Sequence, residues 1–150
     1  MVEIKHICND CERIGMTTIH QTLNSFPRLD WYESFRCSFC SSALEVDGLG
    51  LPPESIRQFI LKDEGKWQLV VDPVKLKNKV KLLKIIRQNL HLSMTEVLTL
   101  KKTFPNLVSG TKTEMKWLQK HLLNKGIESF ILPINPSQNK QIITINLDSE

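Results

Sequence analysis

The sequence predicts an α+β chain in two parts: short strands first, then three helices on a sheet with a C-terminal β-hairpin extension. Three observations lead to this prediction. Two Cys-x-x-Cys pairs lie within the first 40 residues. A segment rich in glycine and proline, residues 48–53, then interrupts the chain. Between residues 79 and 126, three segments carry apolar side chains at helical spacing and are bounded by capping residues.

The four cysteines are the most specific signal. Each pair fits a turn that directs two thiolates at one ion, and two such turns complete a tetrahedral zinc site. Its predicted ligands are Cys8, Cys11, Cys37 and Cys40. A redox dithiol needs only one pair, and two disulfides are disfavoured in the cytosol. Four thiolates leave no position for water, so we expect structural zinc and no hydrolytic chemistry. His6 and His20 are alternative ligands that we interpret as packed or exposed side chains.

The first part is predicted to be a zinc ribbon over residues 1–47. Threonine, isoleucine and phenylalanine are enriched over residues 16–23 and 34–36, which favours short strands leading into the second cysteine pair. Residues 43–47 are expected to return as a third strand. A linker and bridging helix follow over residues 48–66. Pro53 suits the first turn of a helix over residues 54–62, whose apolar stripe is Ile56, Phe59 and Ile60.

Residues 67–134 are predicted to form an α/β domain. A strand over residues 67–71 precedes a helix whose apolar stripe is Val80, Leu83, Ile86 and Leu90. The sequences Ser-Met-Thr-Glu at 93–96 and Thr-Lys-Thr-Glu at 111–114 are capping boxes that open two more helices. Gly126 is expected to cap the last helix, and a strand over residues 127–131 follows. A further short strand is expected near Leu107.

Residues 135–150 are predicted to form a hairpin strand and a tail. A run of proline, serine, glutamine and asparagine precedes the apolar segment 142–147 and is typical of a loop. The apolar segment is expected to fold back on the strand at 127–131 as a hairpin. It is interpreted either as a plain sheet edge or as a surface that pairs with a strand of a partner.

The second domain resembles the C-terminal domain of the bacterial ribosomal stalk protein over residues 67–131. The similarity is carried by Lys79-Val80-x-Leu82-Leu83-Lys84-x-Ile86-Arg87, by the helix containing Glu96, and by Thr111, Leu118 and Gly126. The resemblance implies a stalk-like fold and a helix face that recruits translation factors. The positions carried over to that face are Lys79, Val80, Leu83, Lys84 and Arg87. The chain departs from the family where His91-Leu92-Ser93-Met94 replaces a Gly-Leu-Gly-Leu turn and where Thr95 replaces a lysine.

Charge is divided unevenly along the chain. Residues 1–50 contain four lysines and arginines against seven aspartates and glutamates, a balance of −3. Residues 73–125 contain twelve basic residues and two acidic ones, a balance of +10. An acidic ribbon is not typical of the zinc ribbons that bind nucleic acid. The basic half is suited to an acidic protein or to nucleic acid.

The remaining features favour a cytoplasmic binding protein. No run approaches the roughly 18 apolar residues of a membrane span, and the N-terminal residues do not form a secretion signal. With the cysteines assigned to zinc, no catalytic set remains, so the chain is not expected to be an enzyme. We expect a protein-binding module, for example an immunity protein that neutralises a bacterial toxin. The alternative is a protein that associates with RNA, the ribosome or a translation factor through Lys75, Lys77, Lys79, Lys81, Lys84 and Arg87.

Overall fold

The computed structural model describes residues 1–134 and 143–144 of a chain that divides into two compact units, Met1–Asp63 and Glu64–Glu150. The described residues contain four α-helices and two four-stranded sheets, which is a mixed α and β architecture. The boundary between the units falls within the predicted linker, residues 48–66. None of the helices in the described residues is long and apolar enough to cross a bilayer.

The sheet of the first unit is an antiparallel meander of β1 (Val2–Ile7), β2 (Ile14–Thr22), β3 (Asp30–Arg36) and β4 (Ala43–Leu49). Strand β1 is not among the three strands that the sequence composition predicts. Its sequence VEIKHI does alternate apolar and polar residues, which is a strand pattern. Each strand pairs with its neighbour in the sequence. The β1–β2 and β3–β4 turns therefore lie at the same end of the sheet.

Helix α1 (Glu54–Glu64) covers one face of this sheet. The core between them consists of Val2, Ile19, Trp31, Ile56 and Ile60, with Ile4 at its border. Burial of each of these large side chains contributes about 1.5–3 kcal/mol. Phe59 was placed on the buried stripe by its spacing, but it is 44% exposed. The helix meets the sheet along the line of Ile56 and Ile60, and Phe59 lies to one side of that line.

The second unit alternates strands and helices. Its elements are β5 (Trp67–Val70), α2 (Lys79–Leu90), α3 (Met94–Thr103), β6 (Asn106–Gly110), α4 (Lys112–Asn124), β7 (Phe130–Pro133) and β8 (Ile143–Thr144). The strand order is β7-β5-β6-β8, and β5 is antiparallel to both of its neighbours. The predicted short strand near Leu107 is confirmed by β6. The largest fully buried apolar side chains of this unit are Leu69, Leu82, Ile86, Leu100, Leu107, Met115, Leu118 and Leu122.

Both predicted capping boxes are present. The Ser93 hydroxyl accepts a hydrogen bond from the Glu96 amide at 3.2 Å, and the Glu96 carboxylate accepts one from the Ser93 amide at 3.1 Å. Thr111 and Glu114 make the same reciprocal pair at 3.1 and 3.0 Å. The second box is fully buried whereas the first is exposed. The two boxes thus fix the starts of α3 and α4 in different environments.

Helix α4 ends in a Schellman motif, which explains one wrong prediction. Gly126 has a φ of +79°, and the Ile127 amide donates to the Leu122 carbonyl at 2.9 Å. Ile127 is buried as part of this helix end. The strand therefore begins at Phe130 and not at Ile127.

The predicted C-terminal hairpin is also wrong where the structure describes it. Ile143 and Thr144 pair with β6 in parallel, opposite Val108 and Ser109. A hairpin would require antiparallel pairing with the preceding strand, whereas a parallel partner is reached by a connection that crosses the sheet. Strand β8 pairs with the edge of β6 that faces away from β5. The other residues of the predicted segment, 142 and 145–147, lie outside the described residues.

Candidate functional site

The two Cys-x-x-Cys turns lie side by side at one end of the first sheet. Their four Sγ atoms lie within 4.8 Å of one another. Across the two turns, the Sγ atoms of Cys8 and Cys40 lie 3.6 Å apart, and those of Cys11 and Cys37 lie 3.4 Å apart. All four cysteines are free of disulfides. Sulfurs bound at about 2.3 Å to a tetrahedral zinc ion are about 3.8 Å apart, so the cluster has the size of a four-thiolate metal site.

Backbone hydrogen bonds fix the first turn, which joins β1 to β2. The Cys8 amide donates to the Arg13 carbonyl at 2.8 Å, and the Glu12 amide donates to the Cys8 carbonyl at 2.9 Å. Glu12 has a φ of 62°, in the left-handed region that favours glycine. Sequence reasoning missed this position, because a glutamate gives no sign of a left-handed backbone. Its only signal is that it directly follows the second cysteine of the pair.

The second turn, which joins β3 to β4, has the same construction. The Cys37 amide donates to the Ser42 carbonyl at 3.0 Å. The amides of Phe39 and Cys40 donate to the Cys37 sulfur at 3.4 and 3.5 Å. These hydrogen bonds, first that of Cys40 and then that of Phe39, lower the pKa of Cys37 to about 6. Donors of this kind stabilise the thiolate, which is the form that binds a metal.

The buried Cys8 is held in a similar way. The amide of Cys11 is the main cause that lowers the pKa of Cys8, and the amide of Asp10 acts in the same direction against the effect of burial. Cys11, Cys37 and Cys40 are partly buried. Four sulfurs on a tetrahedral ion leave no position for substrate or water, so the geometry is that of a structural site.

Two side-chain contacts join the turns directly. The Ser42 hydroxyl donates to the Asp10 carboxylate at 2.7 Å. The Arg13 guanidinium lies 4.8 Å from the centre of the Phe39 ring, a cation–π contact. Sequence reasoning did not find these contacts, because they join residues far apart in the chain. They supplement the cysteines in holding the two turns together.

The histidines considered as alternative ligands lie outside the cysteine cluster. His6 meets the Phe35 ring edge-on with 5.6 Å between ring centres. His20 stacks on the Tyr32 ring with 5.0 Å between centres. In the described residues, the group of cysteine, histidine and carboxylate side chains suited to a metal consists of the four cysteines alone. Both histidines are packed against aromatic rings instead.

The five predicted partner-binding positions on helix α2 do not all lie on one exposed face. Val80, Lys84 and Arg87 are spaced four and three residues apart and are all exposed, Val80 by 77%. We call these three residues the Val80 face. Leu83 is buried in the core, so it supports the helix and is not available to a partner. Val80 was expected on the core stripe, but it lies in the first turn of α2, on the opposite side from the buried leucines and isoleucines.

Lys79 does not lie with Lys84 and Arg87. Five residues separate it from Lys84, which is about 140° around a helix that turns about 100° per residue. Its ammonium group lies 4.3 Å from the centre of the Phe104 ring. Lys79 thus belongs to a cation–π contact with the end of α3.

Other lysines gather near the start of α2. A cleft there is bordered by Lys75, Lys77, Lys81 and Lys125, together with the carboxylates of Asp72 and Glu128. The Lys81 ammonium group donates to the Lys125 carbonyl at 2.8 Å across this cleft. Lys125 lies outside the predicted basic surface, and folding brings it next to Lys81 although 44 residues separate the two in the chain.

Comparison with known proteins does not place this chain in a family. No protein-family model matches the sequence, and a search of curated proteins finds no match for it. The function is therefore argued from the cysteine cluster and the charged surfaces.

Proposed function

We propose that this chain is a non-enzymatic binding protein in which a zinc ion stabilises the first unit and helix α2 docks an acidic protein. Support for zinc comes from four thiols within 4.8 Å and from amides that lower the pKa of two of them, Cys8 and Cys37. Zinc suits four thiolates in tetrahedral geometry, and such sites contribute directly to folding. The ligands are Cys8, Cys11, Cys37 and Cys40.

The observation that carries the partner proposal is the exposure of Val80 on the same helix face as two cations, Lys84 and Arg87, that follow it one and two turns later. Val80 is 77% exposed, although the same helix buries Leu82, Leu83 and Ile86. Among the described residues no carboxylate forms an ion pair with Lys84 or Arg87. An apolar side chain next to unpaired cations is complementary to a partner with an apolar patch beside acidic side chains.

The charge of the surrounding segment supports an acidic partner. Residues 73–125 have a balance of +10, which would steer an acidic protein toward the helix and raise its association rate. Inhibition of a toxin by an immunity protein is one role of this kind, and recruitment of a factor, as the stalk resemblance implies, is another. Both roles need a charged docking surface and no catalytic residue.

The test is capture of partners from a nuclease-treated lysate of the native cell by wild type and by the variant Lys84→Glu/Arg87→Glu. We expect the wild type to retain an acidic protein, identified by mass spectrometry, and the variant to lose at least nine-tenths of it. Exposed charges contribute little to stability, so the variant should unfold at the same temperature as the wild type. Lys101→Glu/Lys102→Glu is the matched control, since both lysines are exposed in the last turn of α3.

Equal capture by the wild type and the Lys84→Glu/Arg87→Glu variant would reject the Val80 face. Equal loss in both variants would show a general charge effect and no defined surface. A Val80→Ser variant separates the apolar contribution, which we expect to weaken capture without a change in its salt dependence.

RNA is the second candidate because of the four lysines around the cleft beside α2. If RNA is the partner, nuclease treatment abolishes capture, and Lys75→Glu/Lys77→Glu weakens it more than the changes at Lys84 and Arg87. The affinity would then fall linearly with the logarithm of salt concentration. Capture that resists nuclease excludes this candidate.

A further inference from the structure

Strand β4 is an exposed sheet edge whose charges are all negative. It is the last strand of the first sheet, and no described strand pairs with its outer side. Native edge strands are normally blocked by charged side chains, above all lysine, by proline or by a bulge. β4 has the sequence ALEVDGL, which contains neither lysine nor proline, and its pairing with β3 is regular over all seven residues. Its two carboxylates, Glu45 and Asp47, would repel an acidic strand but attract a basic one. Its outer backbone groups are therefore open to another strand.

The side chains of β4 form two different rows. Leu44 and Val46 point to the face that α1 covers further along the sheet, and they are 62% and 39% exposed. Glu45 and Asp47 point to the opposite face. A strand added at this edge would place alternate side chains beside an apolar row and an acidic row.

A groove lies beside the acidic row. It is lined by His20, Tyr32, Ser34, Glu45 and Asp47, along with Glu33 and Val46 of the same strand pair. The His20 and Tyr32 rings stack, and the buried His20 Nδ1 atom makes no hydrogen bond to the described residues. Glu45 forms an ion pair with Arg36 at 3.3 Å in which both side chains are largely exposed. Such a pair is weak and is readily exchanged for another cation.

These groups fit an arginine side chain. A guanidinium is planar, stacks on aromatic rings and donates two parallel hydrogen bonds to a carboxylate. Asp47 and Glu45 supply carboxylates, and Tyr32 supplies an aromatic ring. Since the groove adjoins the open edge, one added strand would reach both.

We infer that β4 binds an extended basic segment of a partner protein as a fifth strand of the first sheet. Arginine or lysine side chains at alternate positions contact Glu45, Asp47 and the groove, and apolar side chains between them contact Leu44 and Val46. A second copy of β4 is the wrong occupant. Antiparallel pairing of two copies would place the acidic rows of both on one face, where like charges repel. This surface is independent of the Val80 face.

The test is an NMR titration of the zinc-loaded, isotope-labelled protein with the synthetic peptide acetyl-Thr-Arg-Val-Arg-Val-Arg-Thr-amide. We expect chemical-shift changes in β4 and around His20 and Tyr32. In strand addition only alternate amides of the peptide face β4. Two further peptides are methylated on the amide nitrogen of the arginines or of the valines. The peptide whose methyl groups lie on the amides that face away from β4 should bind as the parent does. The peptide whose methyl groups lie on the amides that face β4 should lose binding.

A charge-reversed protein completes the test. Glu45→Lys/Asp47→Lys should weaken binding of the parent peptide at least tenfold. The control Glu3→Lys/Asp63→Lys makes the same change of charge at exposed positions of the first unit away from β4 and should bind normally. The inference is overturned by absence of binding at 1 mM peptide, by equal binding of both methylated peptides, or by shifts confined to other strands. Concentration-dependent dimerisation through β4, seen by sedimentation, would identify a second copy as the occupant and also overturn it.

Discussion

At the scale of single residues, Asp30 is a buried carboxylate whose main partner is Arg28, with a second hydrogen bond to the Ser25 side chain. Arg28 Nε donates to Asp30 Oδ1 at 2.7 Å, and this hydrogen bond is the main cause that lowers the pKa of Asp30. Because the pKa of Asp30 is lower in the folded state, its ionised form stabilises the fold above about pH 4, the usual pKa of an aspartate. This stabilisation is lost as the pH falls through the pKa of the folded state.

Arg28→Met should therefore raise the pKa of Asp30 and move acid unfolding to higher pH. The measurement is a carboxyl carbon NMR titration of Asp30, which reports on this group separately from acid release of metal. Arg36→Met is the control, because Arg36 pairs with the exposed Glu45 and should leave Asp30 unchanged. An unaltered Asp30 titration in Arg28→Met would show that the Ser25 side chain, and not Arg28, sets this pKa.

Glu12 carries backbone strain next to the cysteine cluster. Its φ of 62° costs a residue with a Cβ atom about 1–2 kcal/mol, and glycine avoids most of this cost. Glu12→Gly should stabilise the metal-loaded first unit by about 1 kcal/mol and tighten zinc binding in a chelator competition. Glu12→Ala removes the same negative charge but keeps the strain. If both variants gain equally, the charge and not the backbone is responsible.

At the scale of secondary-structure elements, the two capping boxes form a natural comparison. Ser93→Ala and Thr111→Ala each remove one hydroxyl that accepts from an amide three residues later. We expect Ser93→Ala to cost about 0.5–1 kcal/mol, because water can replace the exposed hydroxyl. Thr111→Ala should cost about 1–2 kcal/mol, because the buried Glu114 amide loses this acceptor.

The measurement for this pair is urea unfolding of the second unit, followed through NMR signals of α3 and α4. The exchanges Ser93→Thr and Thr111→Ser keep a hydroxyl at each cap. Each of these variants should therefore retain most of the stability that the alanine variant loses. Equal costs at the two sites would mean that burial does not control the strength of the cap.

These elements also show what sequence can predict. A capping box joins residues three apart, so the bonds at Ser93 and Thr111 follow from the local sequence. The side of a helix that meets the sheet depends on tertiary packing, and apolar spacing therefore misplaced Val80 and Phe59 in the core. The four cysteines could be predicted as one cluster because their two identical spacings indicate ligands of one ion. The contact between Ser42 and Asp10 could not be predicted, because a serine and an aspartate carry no comparable spacing signal.

At the scale of the whole molecule, the two units carry opposite charge and different cores. Residues 1–50 have a balance of −3, and four thiolates with one divalent zinc ion would make it more negative. Residues 73–125 have a balance of +10. The open edge of β4 lies in the acidic unit and the Val80 face in the basic one, so the two proposed surfaces select partners of opposite charge.

The difference between the cores predicts how the molecule responds to loss of metal. The first unit has a core of five buried apolar residues between one helix and one sheet, with the cysteine turns at the end of that sheet. The second unit has its own core and no cysteine. Because metal binding and folding are linked, a strong chelator should unfold the first unit and leave the second folded.

This outcome is measured by amide hydrogen exchange on zinc-loaded protein before and after chelation. Protection should disappear in β1–β4 and persist in β5, β6 and α4, and readdition of one equivalent of zinc should restore it. Cys11→Ser/Cys37→Ser, which breaks both turns, should show the unprotected pattern even with zinc present. Persistent protection of β2 and β3 after complete metal removal would show that the core around Ile19 and Trp31 is sufficient by itself, and that the cysteine cluster serves a purpose other than folding.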